Sequence, residues 1–136
     1  MKFRYIKFPT ADPKRKWISR PIIPIQIEGP RGRWEGHALI DSGADRSLFS
    51  FEIGEIIGLD ISKGKIEYFG GIGGTRILAY IHKIKMHILG LSGSIEIEAG
   101  FTESPGVSAI LGQEGFFDAY RIKFERDRGI IEITPV

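Results

Sequence analysis

Cysteine is absent from the 136 residues, which removes thiolate zinc sites, cysteine nucleophiles, iron–sulfur clusters and disulfide scaffolds together. Long apolar runs are absent too. Nothing approaches the roughly 18 consecutive apolar residues of a membrane span, and the basic start Met1-Lys2-Phe3-Arg4 leads into no apolar segment of the secretory kind. A soluble protein with no membrane partner is expected, located in the cytoplasm. The chain shows no internal repeat, no low-complexity tract and no Gly-Lys-[Ser/Thr] phosphate loop. Gly71 and Gly73 begin a G-x-G, but Arg76 stands where a third glycine belongs and no helical pattern follows, so a dinucleotide site is not supported. No cofactor is expected. A single domain of this length buries roughly 68% of the surface its unfolded chain exposes, enough to fold without a structural metal.

An overall excess of one charge is lacking as well: 19 basic and 17 acidic residues leave a formal net charge of +2. The distribution is uneven. Residues 1–20 carry Lys2, Arg4, Lys7, Lys14, Arg15, Lys16 and Arg20 against Asp12 alone, a net +6, so the remaining 116 residues carry −4. Residues 1–20 are therefore expected to form a basic N-terminal extension, ahead of a domain over residues 21–136. Composition leaves open whether that extension is an activation segment, a dimer strap or a solvated arm. A short basic arm can bind nucleic acid or an acidic partner, yet it is more often a solvated extension; the body is no basic platform, and a nucleic-acid partner is not expected.

What is present is the pattern of strands. Ile23, Ile25 and Ile27 alternate with polar or turn residues, and after Gly29-Pro30-Arg31-Gly32 the residues Trp34, Gly36, Ala38 and Ile40 take the same period of two, which reads as a hairpin. Ile95, Ile97, Ala99 and Phe101 repeat the pattern, as do Tyr120, Ile122 and Phe124. Between Arg76 and Leu89 the apolar phase jumps from Ile77, Ala79, Ile81 to Ile84, Met86, Ile88, and a bulge near His82-Lys83 is the expected cause. Helix signals are few. Ser50 can cap a helix of two to three turns with the apolar stripe Ile53, Ile56, Ile57 and a stop at Gly58, and a second helical turn is expected over Gln113 to Ala119. Many short strands with two small helices indicate an all-β barrel or sandwich.

Asp41-Ser42-Gly43-Ala44, followed by Asp45, comes directly after the strand His37-Ala38-Leu39-Ile40. A carboxylate at the end of a buried strand, with a hydroxyl next and a glycine for the turn, is presented on a rigid loop. Taken alone, the triplet is also what an ordinary turn uses. Two further blocks narrow the choice: the glycine-rich tip Gly70-Gly71-Ile72-Gly73-Gly74 between two strand patterns, and Ala109-Ile110-Leu111-Gly112 before the second helix. Other chemistries fail on spacing. His37 lies about 16 Å from Ser42 along an extended chain, and His82 and His87, five apart on a strand, face opposite sides unless a bulge intervenes, so no metal site is expected.

These three blocks, in this order and spacing, resemble the retropepsin family of single-lobe aspartic proteases. The resemblance runs from about Ile22 onward. Only one Asp-[Ser/Thr]-Gly occurs, since Asp127-Arg128-Gly129 lacks the hydroxyl, so a two-lobed monomer is excluded. The resemblance implies a closed β-barrel monomer with two short helices and a flap hairpin, acting as a homodimeric aspartic endopeptidase on peptide or protein substrates. It implies Asp41 as the catalytic residue, paired with Asp41 of a second subunit, with Ser42 locking the two loops and Gly43 accepting from substrate backbone. It implies substrate contacts from Ala44, Asp45 and Arg46, with Arg46 lining an outer pocket. Gly70, Gly71, Ile72, Gly73 and Gly74 would form the flap tip. Leu39 and Ile110 would be pocket walls or, equally, ordinary core. One departure stands out: where retroviral members place an arginine that pairs with the acid beside the catalytic loop, this chain has Gln113-Glu114. Asp45 would then need another partner, such as Arg46 or the basic arm. The alternative reading is a catalytically inactive dimerisation or peptide-binding module on the same fold.

Overall fold

The computed structural model describes residues 1–70 and 76–136. Its strands and helices are β1 (Lys2–Arg4), β2 (Ile6–Pro9), β3 (Trp17–Arg20), β4 (Ile22–Gly29), β5 (Gly32–Ile40), β6 (Leu48–Ser50), α1 (Phe51–Ile56), β7 (Lys65–Gly70), β8 (Arg76–Ile88), β9 (Ile95–Thr102), β10 (Ala109–Leu111), α2 (Phe116–Ala119), β11 (Tyr120–Glu125) and β12 (Ile130–Pro135). Six strands follow one another around a barrel in the order β4-β5-β10-β6-β9-β8, which closes where β8 returns to β4 through Ile25↔Ile88 to Glu28↔Lys85. Strand β7 pairs with β8 outside the ring. Closure removes the unpaired edges that an open sheet would leave. No described helix is long and apolar enough to cross a membrane.

The period of two has its expected result in the β4–β5 hairpin. Ile23, Ile25 and Ile27 are fully buried, and Ala38 and Ile40 join them from β5. Phe49, Phe101, Phe116, Met86, Ile88 and Leu111 fill the interior from the other strands and α2. Each such side chain stabilises the fold by about 1.5–3 kcal/mol relative to exposure.

The two helices are shorter than the sequence indicates. Ser50 does cap α1, its side chain accepting from the Ile53 amide, but the helix spans six residues. Ile53 and Ile57 are buried while Ile56 is exposed. Gly54 is explained by crowding. A Cβ there would stand 2.8 Å from Ile61 Cδ1 and 3.0 Å from Phe101 Cδ1, so even alanine would have to displace Ile61 or Phe101. Helix α2 covers only Phe116–Ala119, because Gly115 ahead of it takes φ +87°, outside the helical region.

The phase jump in β8 is not a bulge. Its register against β9 is unbroken from Tyr80↔Phe101 to Met86↔Ile95. Instead the strand changes partner, from β7 up to Ile81 to β4 from Lys85 onward. The side of the strand that faces the interior changes with it. Near the crossover both faces of the sheet are covered, and Ala99 to Thr102 on β9 are all buried.

Residues 1–20 form strands against the body. β1 pairs with β12, which pairs in turn with β11, and β2 and β3 form a hairpin. The Met1 ammonium donates to the Ile133 carbonyl at 2.9 Å, and Phe3 and Tyr5 pack against the core.

Candidate active site

Strands β5 and β10 run parallel, with Leu39 beside Ile110 and Ile40 beside Leu111. Parallel neighbours end on the same side of a sheet. The Asp41 loop therefore meets the turn that follows Leu111, and five hydrogen bonds join them. Asp41 N donates to Leu111 O at 2.9 Å, Gln113 N to Ala44 O at 2.8 Å, and Glu114 N to Asp45 O at 2.9 Å. Gly112 N donates to the Ser47 hydroxyl at 3.1 Å, and Gln113 Nε2 donates to Ser42 O at 2.7 Å. Ser47 is fully buried, and this bond supplies the partner a buried hydroxyl needs. Gly112 cannot be larger: its Cβ would sit 2.7 Å from the carbonyl oxygens of Ala44 and Arg46.

Within the loop, Asp41 Oδ1 accepts from the Gly43 amide at 2.9 Å and Ala44 N donates to Asp41 O at 3.1 Å. The side-chain bond two residues on is an Asx turn. It fixes the direction of the carboxylate. Asp41 is half-buried, and Ser42 and Gly43 are exposed.

A cleft of about 410 Å³ opens over this loop. Asp41 and Gly43 to Arg46 border it on one side, Phe69, Gly70 and Ile77 on another, and Leu48, Val107 and Ile110 form an apolar wall. Phe69 pairs with Ile77 across β7 and β8, and the two strands stay paired up to Gly70↔Arg76. Gly71, Ile72, Gly73 and Gly74, the remainder of the expected flap tip, lie outside the described residues. Ile110 also borders a second, more apolar groove of about 420 Å³, shared with Leu39, Ile6, Phe8 and Ile22. Leu39 reaches that groove and not the Asp41 cleft.

Arg46 borders the cleft, yet its guanidinium is fully engaged. Nε and Nη2 make a two-pronged contact with Glu67 at 3.2 Å each. Nη2 reaches Glu114 at 3.2 Å, and Nη1 lies 3.3 Å from Glu98 O and 3.5 Å from its carboxylate. The side chain is 13% exposed. One cation thus ties the Asp41 loop to β7, β9 and the turn after β10, with the fork geometry that suits guanidinium. Asp45 is exposed and forms no salt bridge among the described residues. Spacing alone gave no sign of Ser47, Glu67 or Glu98. Gln113 and Glu114 showed only as a departure, although both support the loop.

A closed six-strand barrel with two short helices, and an Asp-Ser-Gly-Ala loop at the end of a barrel strand, defines a retropepsin-like fold. A solved structure of EIAV protease complexed with the inhibitor HBY-793 is similar, with a TM-score of 0.52 and 20% sequence identity over 76% of this chain and 88% of that one. At that identity the likeness shows the fold. No protein-family model and no curated protein matches the chain.

Proposed function

We propose that this protein is an aspartic endopeptidase that works as a homodimer, with Asp41 of each subunit facing the other across a twofold axis. The observation that carries the reading is the Asp41 loop: a carboxylate aimed by its own turn, backed by five bonds to β10 and the turn after it, and set at the border of a cleft beside the paired ends of β7 and β8. Peptide hydrolysis by carboxylates needs one group to take a proton from water while another protonates the carbonyl oxygen. A single Asp41 cannot do both at once. Two carboxylates in contact cannot both ionise, so the pair shares one proton and serves as acid and base together. Activity on the acid side of neutral follows. A flap carried by the glycine-rich run 70–74 and closing over the peptide backbone is part of the same proposal.

The inactive-module reading draws on Gln113-Glu114 and on a chain after the second helix that runs longer than the family's usual interface strand. Gln113 holds Ser42 O and Glu114 holds Arg46, so the first of these departures leaves the loop supported.

The test is cleavage of a denatured protein and of a peptide mixture, from acid to neutral pH, over a range of enzyme concentrations, with Asp41→Asn alongside. A rate that rises faster than linearly at low concentration and vanishes in the variant is expected. Full activity in Asp41→Asn, or no cleavage at any pH from a dimer established by sedimentation, would overturn the assignment.

A further inference from the structure

A further cleft, of about 630 Å³, lies between β1, β2 and the turn Arg126–Arg128, and shares no residue with the Asp41 cleft. Five cations border it, Lys2, Arg4, Lys7, Arg126 and Arg128, against the single acid Asp127. They come from opposite ends of the chain. The β1–β12 pairing and the bond from Tyr5 N to Gly129 O at 2.9 Å bring them together. Arg128 is paired with Glu125 at 3.1 Å. The other four form no salt bridge among the described residues and are exposed, and Arg126 Nη1 donates to Ser19 O at 3.4 Å.

The β2–β3 hairpin extends this surface. Lys7 pairs with Ser19 and Pro9 with Trp17, so alternation puts all four on one face. Lys7 and Ser19 border the basic cleft, whereas Ile6 and Phe8, on the other face, border the apolar groove. Trp17 is 56% exposed and stands one row beyond the cleft. Lys14, Arg15 and Lys16 are exposed in the loop before it.

We propose that this face binds single-stranded nucleic acid, independently of the peptidase reading. Regularly spaced phosphates suit several unpaired cations along one groove, and an exposed indole beside them offers a platform for a base that is free to stack. A duplex has no free base to place on Trp17. An acidic peptide would satisfy the cations but leave the indole without a use.

The experiment is fluorescence anisotropy with a labelled oligothymidylate of about 20 nucleotides, titrated with the full chain at several salt concentrations. Polyglutamate and vesicles containing phosphatidylserine are the competitors. Saturable binding that neither competitor displaces at equal charge is expected. The pair Lys7→Ala with Arg126→Ala should flatten the slope of log affinity against log salt by about 1.4, or roughly 0.7 per lost phosphate contact. Trp17→Ala should weaken binding about tenfold at every salt concentration with the slope unchanged. Absence of binding at low salt, full displacement by polyglutamate or by vesicles, or an unchanged affinity in a folded Trp17→Ala variant would each overturn the proposal.

Discussion

The two clefts carry opposite charge and are built in opposite ways. Around Asp41 the acids Glu67, Glu98 and Glu114 gather about one cation, Arg46, and the loop is pinned through its backbone. Around Lys7 and Arg126 the cations predominate, and they stand on exposed strand and turn surfaces where, among the described residues, only Arg128 has a carboxylate partner, Glu125. A reacting group must be held to within about half an ångström, which needs backbone bonds and packing. Attraction of a polyanion needs only charge of one sign within a Debye length, about 10 Å in 0.1 M salt. A net charge of +2 conceals both.

The sharpest separation of the two regions comes from Asp41→Asn. Cleavage should fall by about a thousandfold or more, while oligonucleotide affinity and thermal stability stay where they were. A parallel loss of oligonucleotide affinity would mean that the clefts are coupled. Gly112→Ala tests the backbone lock. Its methyl group would press on two carbonyl oxygens, so urea titration should show a loss of about 2–3 kcal/mol together with reduced cleavage. An unchanged urea midpoint would show that the turn is free to move.

Arg46→Met removes the cation and leaves three carboxylates facing one another. Because those glutamates are 28–64% exposed, the cost should lie between the limits for surface and buried pairs, about 2 kcal/mol. Urea titration should show the loss, and adding Glu67→Gln should return part of it, because the two sites are in contact. A penalty unchanged by Glu67→Gln would assign Arg46 a packing role instead.

The smallest effect concerns Glu125, the acid that tempers the basic cleft. Its hydrogen bond to Arg128, aided by the charges of Lys123, Arg128 and Lys2, holds its carboxyl below the usual carboxylate value. A lowered folded value stabilises the protein above the unfolded carboxylate pKa, and that contribution disappears as pH falls through the lowered one. Glu125→Gln should therefore be slightly less stable than the parent near neutral pH and equal to it in strong acid. It should also bind the oligonucleotide two- to threefold more tightly at low salt, by freeing Arg128. Weaker binding would show that Glu125 positions Arg128 for the ligand.

Much of the barrel was legible because alternation is a local property. Ile23, Ile25 and Ile27 announce the face they bury, and Ser50 announces the start of α1. Less legible were features that depend on which strands become neighbours. The phase jump after Ile81 reads as a bulge along the chain, and only the exchange of β7 for β4 beside β8 explains it. Gln113 reads as the loss of an ion pair, and only the parallel β5–β10 pairing shows it reaching Ser42 O.

By itself the amino-acid sequence determined the all-β class, the strand ending at Asp41 and the turn that carries it, because periodicity and turn chemistry act over a few residues. Tertiary structure alone decided that Arg46 gathers carboxylates from three distant segments, and that Lys7 and Arg126 border one cleft. Charge acts through space, and the distance between two charges is set by how the barrel closes, not by their separation along the chain.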